Sequence, residues 1–262
     1  MKKSILLTLI TILTISGCTN NKEANTLIVG TNVGYPPFIL CDTNGEYIGF
    51  DVDVMKAIAN KLNKKIIFKN MEFDALTLSL KLNKVDLIIG GIAVTPERKK
   101  EISMISYQGK NTTKLELLFW QKIPYEIKSI EDFKQNKKLE LCTQAGTTME
   151  AFLNKYDYKC KTMDFIDQLV LDLKHKKSAA MLVDIEAAQG LKNKFPEIKS
   201  MYVPLKKDDW LLGNGIGIKK ENAKLSQQIT KIIAELKKSG ELAKLEAKWL
   251  KKPSNNKKEL ND

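Results

Sequence analysis

The chain has 262 residues, 43 lysines and arginines against 31 acids, and a formal charge of +12. That length fits one large domain or two small ones. Its lysines alternate with acids instead of forming a basic stripe with interleaved aromatics, and no metal spacing occurs, so nucleic acid is excluded as a partner and neither metal nor cofactor is expected.

At the start, Lys2 and Lys3 precede an apolar run from Ile5 to Ile15 that is too short to span a bilayer, the layout of a secretory signal peptide. The run ends Ile15-Ser16-Gly17-Cys18, which resembles the lipobox of bacterial lipoproteins. That resemblance implies cleavage before Cys18, lipid on Cys18, a signal peptide over 1–17 and a polar tether over 18–26. Losing Lys2 and Lys3 lowers the charge by two, to +10. No later stretch is apolar enough to cross a membrane, and the remaining lysine excess suits anionic lipid head groups.

Beyond the tether, short apolar runs alternate with segments of helical period, an α/β pattern. Strands are predicted over 27–31, 65–69, 85–90 and 115–120, and helices over 50–62, 75–82 and from Pro96, the first-turn position where proline is tolerated. A second series follows, with strands over 139–142, near Cys160 and over 179–183, and helices over 147–153, 167–173 and 185–191. A strand over 216–219 then precedes one or two amphipathic helices over 222–249, broken near Gly240. No repeat of fixed period emerges. The expectation is two α/β lobes, 27–114 with 211–250 and 115–210, ahead of a polar tail over 251–262. The chain passes between the lobes near Leu115 and Ile216.

Three cysteines remain after Cys18, so at least one is unpaired. Cys142 and Cys160 lie on strands that would be neighbours in a parallel sheet, and either form a disulfide or stay as two buried thiols. His175, the only histidine, sits among lysines in a solvated loop. Arg98 is the only arginine. A guanidinium fork grips a carboxylate through two parallel hydrogen bonds, which lysine does less well. Its setting, Pro96 to Lys100, is equally that of a charged helix start on a solvated face. Asp184 is likewise well placed as an N-cap for the helix from Ile185.

The ordered motifs Val29-Gly30-Thr31-Asn32-Val33-Gly34-Tyr35-Pro36-Pro37-Phe38, Gly49-Phe50-Asp51-Val52-Asp53, Phe73-Asp74-Ala75-Leu76 and Val85 through Arg98 resemble the polar amino-acid solute-binding proteins of transport systems. The resemblance continues through Gln144-Ala145-Gly146-Thr147-Thr148, Met181-Leu182-Val183-Asp184 and Gly215-Ile216-Gly217-Ile218 to Trp249. It implies a type II periplasmic-binding fold, two lobes joined by a two-strand hinge that close over one free amino acid. It also implies delivery to a membrane permease powered by an ATPase, a monomer in the periplasm or at the cell surface, and no catalysis.

Site roles carried by the resemblance are specific. Arg98 is matched to the ligand carboxylate, with Thr147 and Thr148 opening a helix toward the same group. Asp184 is matched to the ligand ammonium, and Gly90, Gly91, Ala93 and Gln144 to further contacts. Ala93 replaces a serine of several relatives and loses a hydroxyl contact. Tyr35 and Phe73 are matched to two aromatic walls, which hold a flat guanidinium by contacts of about 0.5–2 kcal/mol each. Asn32 stands where several binders of basic amino acids have an aspartate, and its amide oxygen can accept from a guanidinium N–H. Glu72 is either an anionic supplement or a solvated residue. The stretch Asp208 to Gly215 is most similar to arginine-binding members. Arginine is therefore favoured, then glutamine or another polar amino acid. Other classes are an exported dehydratase on the same fold, which needs a proton donor or acceptor in the cleft, and an adhesin, which has no need of Arg98.

Overall fold

The computed structural model describes residues 25–109, 111–136 and 138–250. The expected signal peptide, Cys18 and the polar tail lie outside them. Strand β1 (Thr26–Thr31) leads through a small hairpin, β2 (Leu40–Cys41) and β3 (Tyr47–Ile48), to helix α1 (Phe50–Leu62) and strand β4 (Lys65–Asn70). Helix α1 forms where predicted because Phe50, Val54, Met55 and Ile58 recur at helical spacing and are all buried. Asn63, in the left-handed region at φ 51°, ends it. Helix α2 (Ala75–Lys81), strand β5 (Leu87–Ile88), helix α3 (Pro96–Glu101) and strand β6 (Ser103–Gln108) follow. Strand β5 is shorter than predicted because the backbone turns at Gly90 and Gly91, with φ 150° and 63°.

The chain next builds β7 (Lys114–Trp120), α4 (Asp132–Gln135), β8 (Leu141–Gln144), α5 (Thr148–Lys155) and β9 (Cys160–Met163). It continues with α6 (Ile166–Lys174), β10 (Ala180–Val183), α7 (Ile185–Lys194) and β11 (Ile198–Pro204). Strand β12 (Asn214–Ile218) then returns to pair antiparallel with β5 and β6. Two five-stranded sheets result, ordered β4-β1-β5-β12-β6 and β11-β7-β10-β8-β9. Helices α8 (Ala223–Lys238) and α9 (Glu241–Trp249), separated at Gly240 as predicted, pack with α1 on the first sheet.

Both sheets bury apolar side chains on two faces. Leu76, Leu80 and Ile88 fill one side of the first sheet under α2, and Val29, Met55 and Ile229 the other, under α1 and α8. In the second sheet, Leu117, Phe119 and Leu182 pack toward α4 and α5, while Leu118, Met181 and Val183 pack toward α6 and α7. Burial on both faces explains why the central strands read as continuous apolar runs.

The chain crosses between the sheets around 111–113 and 205–213, a few residues from the predicted crossings. The two segments pair: Thr112 N–H donates to Leu211 O at 2.8 Å and Leu211 N–H returns to Thr112 O at 3.2 Å. Gly213 ends one of them with φ 74°, and a Cβ there would stand 2.4 Å from the Gln108 carbonyl oxygen, so only glycine fits. The cysteines correct the disulfide alternative. Although β8 and β9 are neighbours, their register sets Cys142 against Lys161 and Leu141 against Cys160, which turns the two sulfurs to opposite faces. Cys41, Cys142 and Cys160 are free thiols, and burial pushes Cys142 up to about 12.

Candidate functional site

A cavity of about 30 Å³ lies between the two sheets and against the paired crossing segments. From the first sheet's side come Tyr35, Phe73, Gly91, Ala93 and Arg98; from the second come Gln144, Thr147, Thr148, Asp184 and Glu186. Gln144 ends strand β8, Thr147 and Asp184 are the N-caps of α5 and α7, and Arg98, Thr148 and Glu186 lie in the first turns of α3, α5 and α7.

Arg98 sits in the first turn of α3, which starts with Thr95 as N-cap and Pro96 behind it. Its Nη1 donates to Ala93 O at 2.8 Å and its Nη2 to Gly146 O at 3.0 Å, so one guanidinium ties the two sheets' sides together. The Phe73 ring lies beneath it, 5.5 Å from Cζ to the centroid. Those two bonds use two of five N–H donors and leave three for another acceptor. Burial lowers Arg98 to about 10, so it stays charged at neutral pH.

Asp184 performs two tasks with its two oxygens. Oδ1 accepts from Ala187 N–H at 2.7 Å and caps α7, while Oδ2 accepts from the Tyr35 hydroxyl across the cavity. Burial, then the neighbouring Glu186 charge, pushes its carboxyl well above the usual range, and burial also raises that of Glu186. The N-terminus of α5 opens on the same space: Thr147 accepts from Glu150 N–H at 3.3 Å and donates to Gln144 O at 2.7 Å. Gly91, at φ 63°, presents bare backbone to the cavity; a Cβ there would stand 2.8 Å from a Tyr35 ring carbon. Its N–H is held at 2.8 Å by the fully buried Asp51, which also accepts from the Tyr107 hydroxyl at 2.6 Å. The arrangement sets one guanidinium and a helix N-terminus beside two carboxylates, which suits a ligand bearing both charges.

The profile of the bacterial extracellular solute-binding proteins, family 3, matches residues 27–252. The chain belongs to that family. A protein of Chlamydia trachomatis named probable ABC transporter arginine-binding protein ArtJ is 33% identical over 239 residues, covering 90% of this chain and 91% of that one. The solved structure of an ancestral arginine-binding protein bound to arginine is 31% identical, with a TM-score of 0.77 over 87% of this chain and 99% of that one. Another, described as an ancestral amino acid-binding protein and a precursor of cyclohexadienyl dehydratase, is 28% identical, with a TM-score of 0.76 over 88% and 98%. The fold of this solute-binding protein is thus the type II periplasmic-binding fold.

Within the solute-binding fold, nine of the eleven expected ligand residues line the cavity and two do not. Asn32 is 1% exposed; its Nδ2 donates to Met71 O at 2.7 Å and its Oδ1 accepts from Gln144 Nε2 at 2.8 Å. That bond uses one lone pair of the oxygen expected to meet a guanidinium, and Asn32 stands behind the cavity lining. Gly90 is buried one residue behind the lining, and Glu72 is exposed away from it. Tyr35 and Phe73 both line the cavity, but Tyr35 stacks on Phe38 at 5.8 Å and Phe73 under Arg98. The sequence reading missed Gln108, Asn214 and Glu186. Gln108 ends strand β6, Asn214 begins strand β12, and the two bond to each other at 2.7 Å. Glu186, in the first turn after Asp184, was detectable as a second acid beside a matched one.

Burial raises Asp51 to about 7, against the lowering effects of Tyr107 and Gly91 N–H. An acid raised on folding holds its proton in the native state where the unfolded chain has released it, so its contribution to stability falls as pH rises from about 4 to about 7. Asp51→Asn, which keeps an acceptor for Gly91 N–H, is expected to remove up to about 1.4 kcal/mol of pH dependence per pH unit in that window. Urea unfolding of parent and variant at several pH values checks this; identical slopes would refute it.

Proposed function

We propose that this solute-binding protein captures one free amino acid, arginine before glutamine or other polar amino acids, between two lobes, and passes it to a membrane permease driven by ATP. The lobes are 27–114 with 211–250 and 115–210, joined by the paired segments around 111–113 and 205–213. The observation that carries the reading is the meeting in one cavity of Arg98, from α3, with Asp184, from the start of α7. Arg98 takes the ligand carboxylate together with the α5 N-terminus at Thr147 and Thr148. Asp184 takes the ammonium, and Gly91, Ala93 and Gln144 complete the polar lining. The names of the relatives support arginine. The protein acts as a monomer, held by lipid on Cys18 in the periplasm or at the cell surface, and performs no catalysis.

Calorimetry of the purified protein against the twenty amino acids tests this. A single tight ligand, arginine, is expected; no binding to any of them would refute it. The likeness to a dehydratase precursor, together with the raised Asp184 carboxyl, favours one rival: a proton donor acting on a cyclic acid. Turnover of such an acid without tight amino-acid binding would establish that rival instead.

A further inference from the structure

We propose that Glu186 determines specificity in this cavity, by supplying the second negative charge that makes a net cationic amino acid the preferred ligand. The inference rests on the amino-acid reading above and assigns the choice of side chain to a residue that carried no role in it.

Among the described residues that line the cavity, Arg98 carries the only permanent positive charge, and Asp184 and Glu186 are the only carboxylates. The two ends of an amino acid offset one charge each: its carboxylate answers Arg98 and its ammonium answers Asp184. Glu186 is then left over. None of the ion pairs among the described residues involves its carboxylate. Two carboxylates two residues apart on one helix turn, both largely removed from water, repel each other. A cation on the ligand side chain relieves that repulsion, and a neutral amide leaves it standing.

The other candidates for this role are occupied elsewhere. Asn32 has its amide committed to Met71 and Gln144, and Glu72 faces solvent. Tyr35 donates its hydroxyl to Asp184, and Phe73 has one face under Arg98. These side chains offer contact area but no charge. Glu186 also borders a separate crevice formed with Pro37, Gln189, Gly190 and Trp249.

The test compares Glu186→Gln with the parent by calorimetry against arginine and glutamine, with thermal melts of both proteins. The parent is expected to prefer arginine, and the variant to lose at least about tenfold of that preference. Glu186→Asp, which keeps the charge, is expected to retain most of it and guards against a general effect of altering the first turn of α7. An unchanged preference in a variant that still binds would overturn the inference and leave the amino-acid reading standing. Equal weakening of both ligands would overturn it as well, since that result marks a structural role. A parent that binds neither amino acid would remove the reading itself, and this inference with it.

Discussion

Arg98→Lys is expected to weaken amino-acid binding by at least about 100-fold, roughly 2.7 kcal/mol, while the melting temperature changes little. The guanidinium already spends Nη1 on Ala93 O and Nη2 on Gly146 O, and those bonds fix its plane. Its remaining donors are therefore held in a set orientation, as the proposed grip on a ligand carboxylate requires. Lysine carries the same charge on a single nitrogen with three donors that rotate together, so it cannot hold both carbonyls and a carboxylate in that geometry. Folding is spared because α3 keeps its Thr95 cap and its Pro96, and none of its six residues belongs to the apolar core. Titration calorimetry and thermal unfolding of the two proteins decide the point. An affinity within threefold of the parent would show that Arg98 is not the carboxylate clamp.

Asp184→Asn is expected to cost the ligand about 30-fold or more in affinity, because an ammonium in a desolvated cavity loses its countercharge, a change worth about 2–5 kcal/mol. The substitution isolates charge from structure. Asparagine caps helices about as well as aspartate, so the bond from Ala187 N–H to Oδ1, at 2.7 Å, is retained and α7 keeps its first turn. Asp184→Ala gives the contrast: it removes the cap also, and should lower stability by about 1 kcal/mol in addition to the loss of binding. The two variants measured side by side, by calorimetry and by urea midpoint, separate the two oxygens' duties. Full affinity in the asparagine variant would assign the ammonium to another group.

Much of the fold was legible because its central elements are amphipathic or wholly apolar. Helix α1 runs over Phe50–Leu62 as its period predicts, and β10 lies within the apolar run at 179–183. Strands β6 and β11 were missed for the opposite reason. Ser103–Gln108 and Ile198–Pro204 mix polar and apolar residues, since each lies at the edge of its sheet with one face partly solvated. Within the candidate site, residues on motifs of fixed order, such as Gly91, Arg98 and Asp184, could be matched by position. Asn32 shows where that stops: its position in the motif says nothing of Gln144, which reaches it from the other sheet, 112 residues away. Contacts of that separation exist only once both sheets are assembled. Glu186 escaped for a different reason, because a single acid in a helix's first turn is ordinarily read as complementing the helix dipole.

The bonds that span the cavity carry a consequence for affinity. Tyr35 meets Asp184, Arg98 meets the Gly146 carbonyl, and Gln144 meets Asn32. Several of these are the groups assigned to a bound amino acid, and the space left among them, about 30 Å³, holds about two waters. Under the proposed function the protein is its own internal competitor: an incoming amino acid would compete with the Tyr35 hydroxyl for Asp184 and share the arginine with a carbonyl. Measured binding reports the difference between the ligand's contacts and these, so a weaker self-contact raises affinity without adding anything to the ligand.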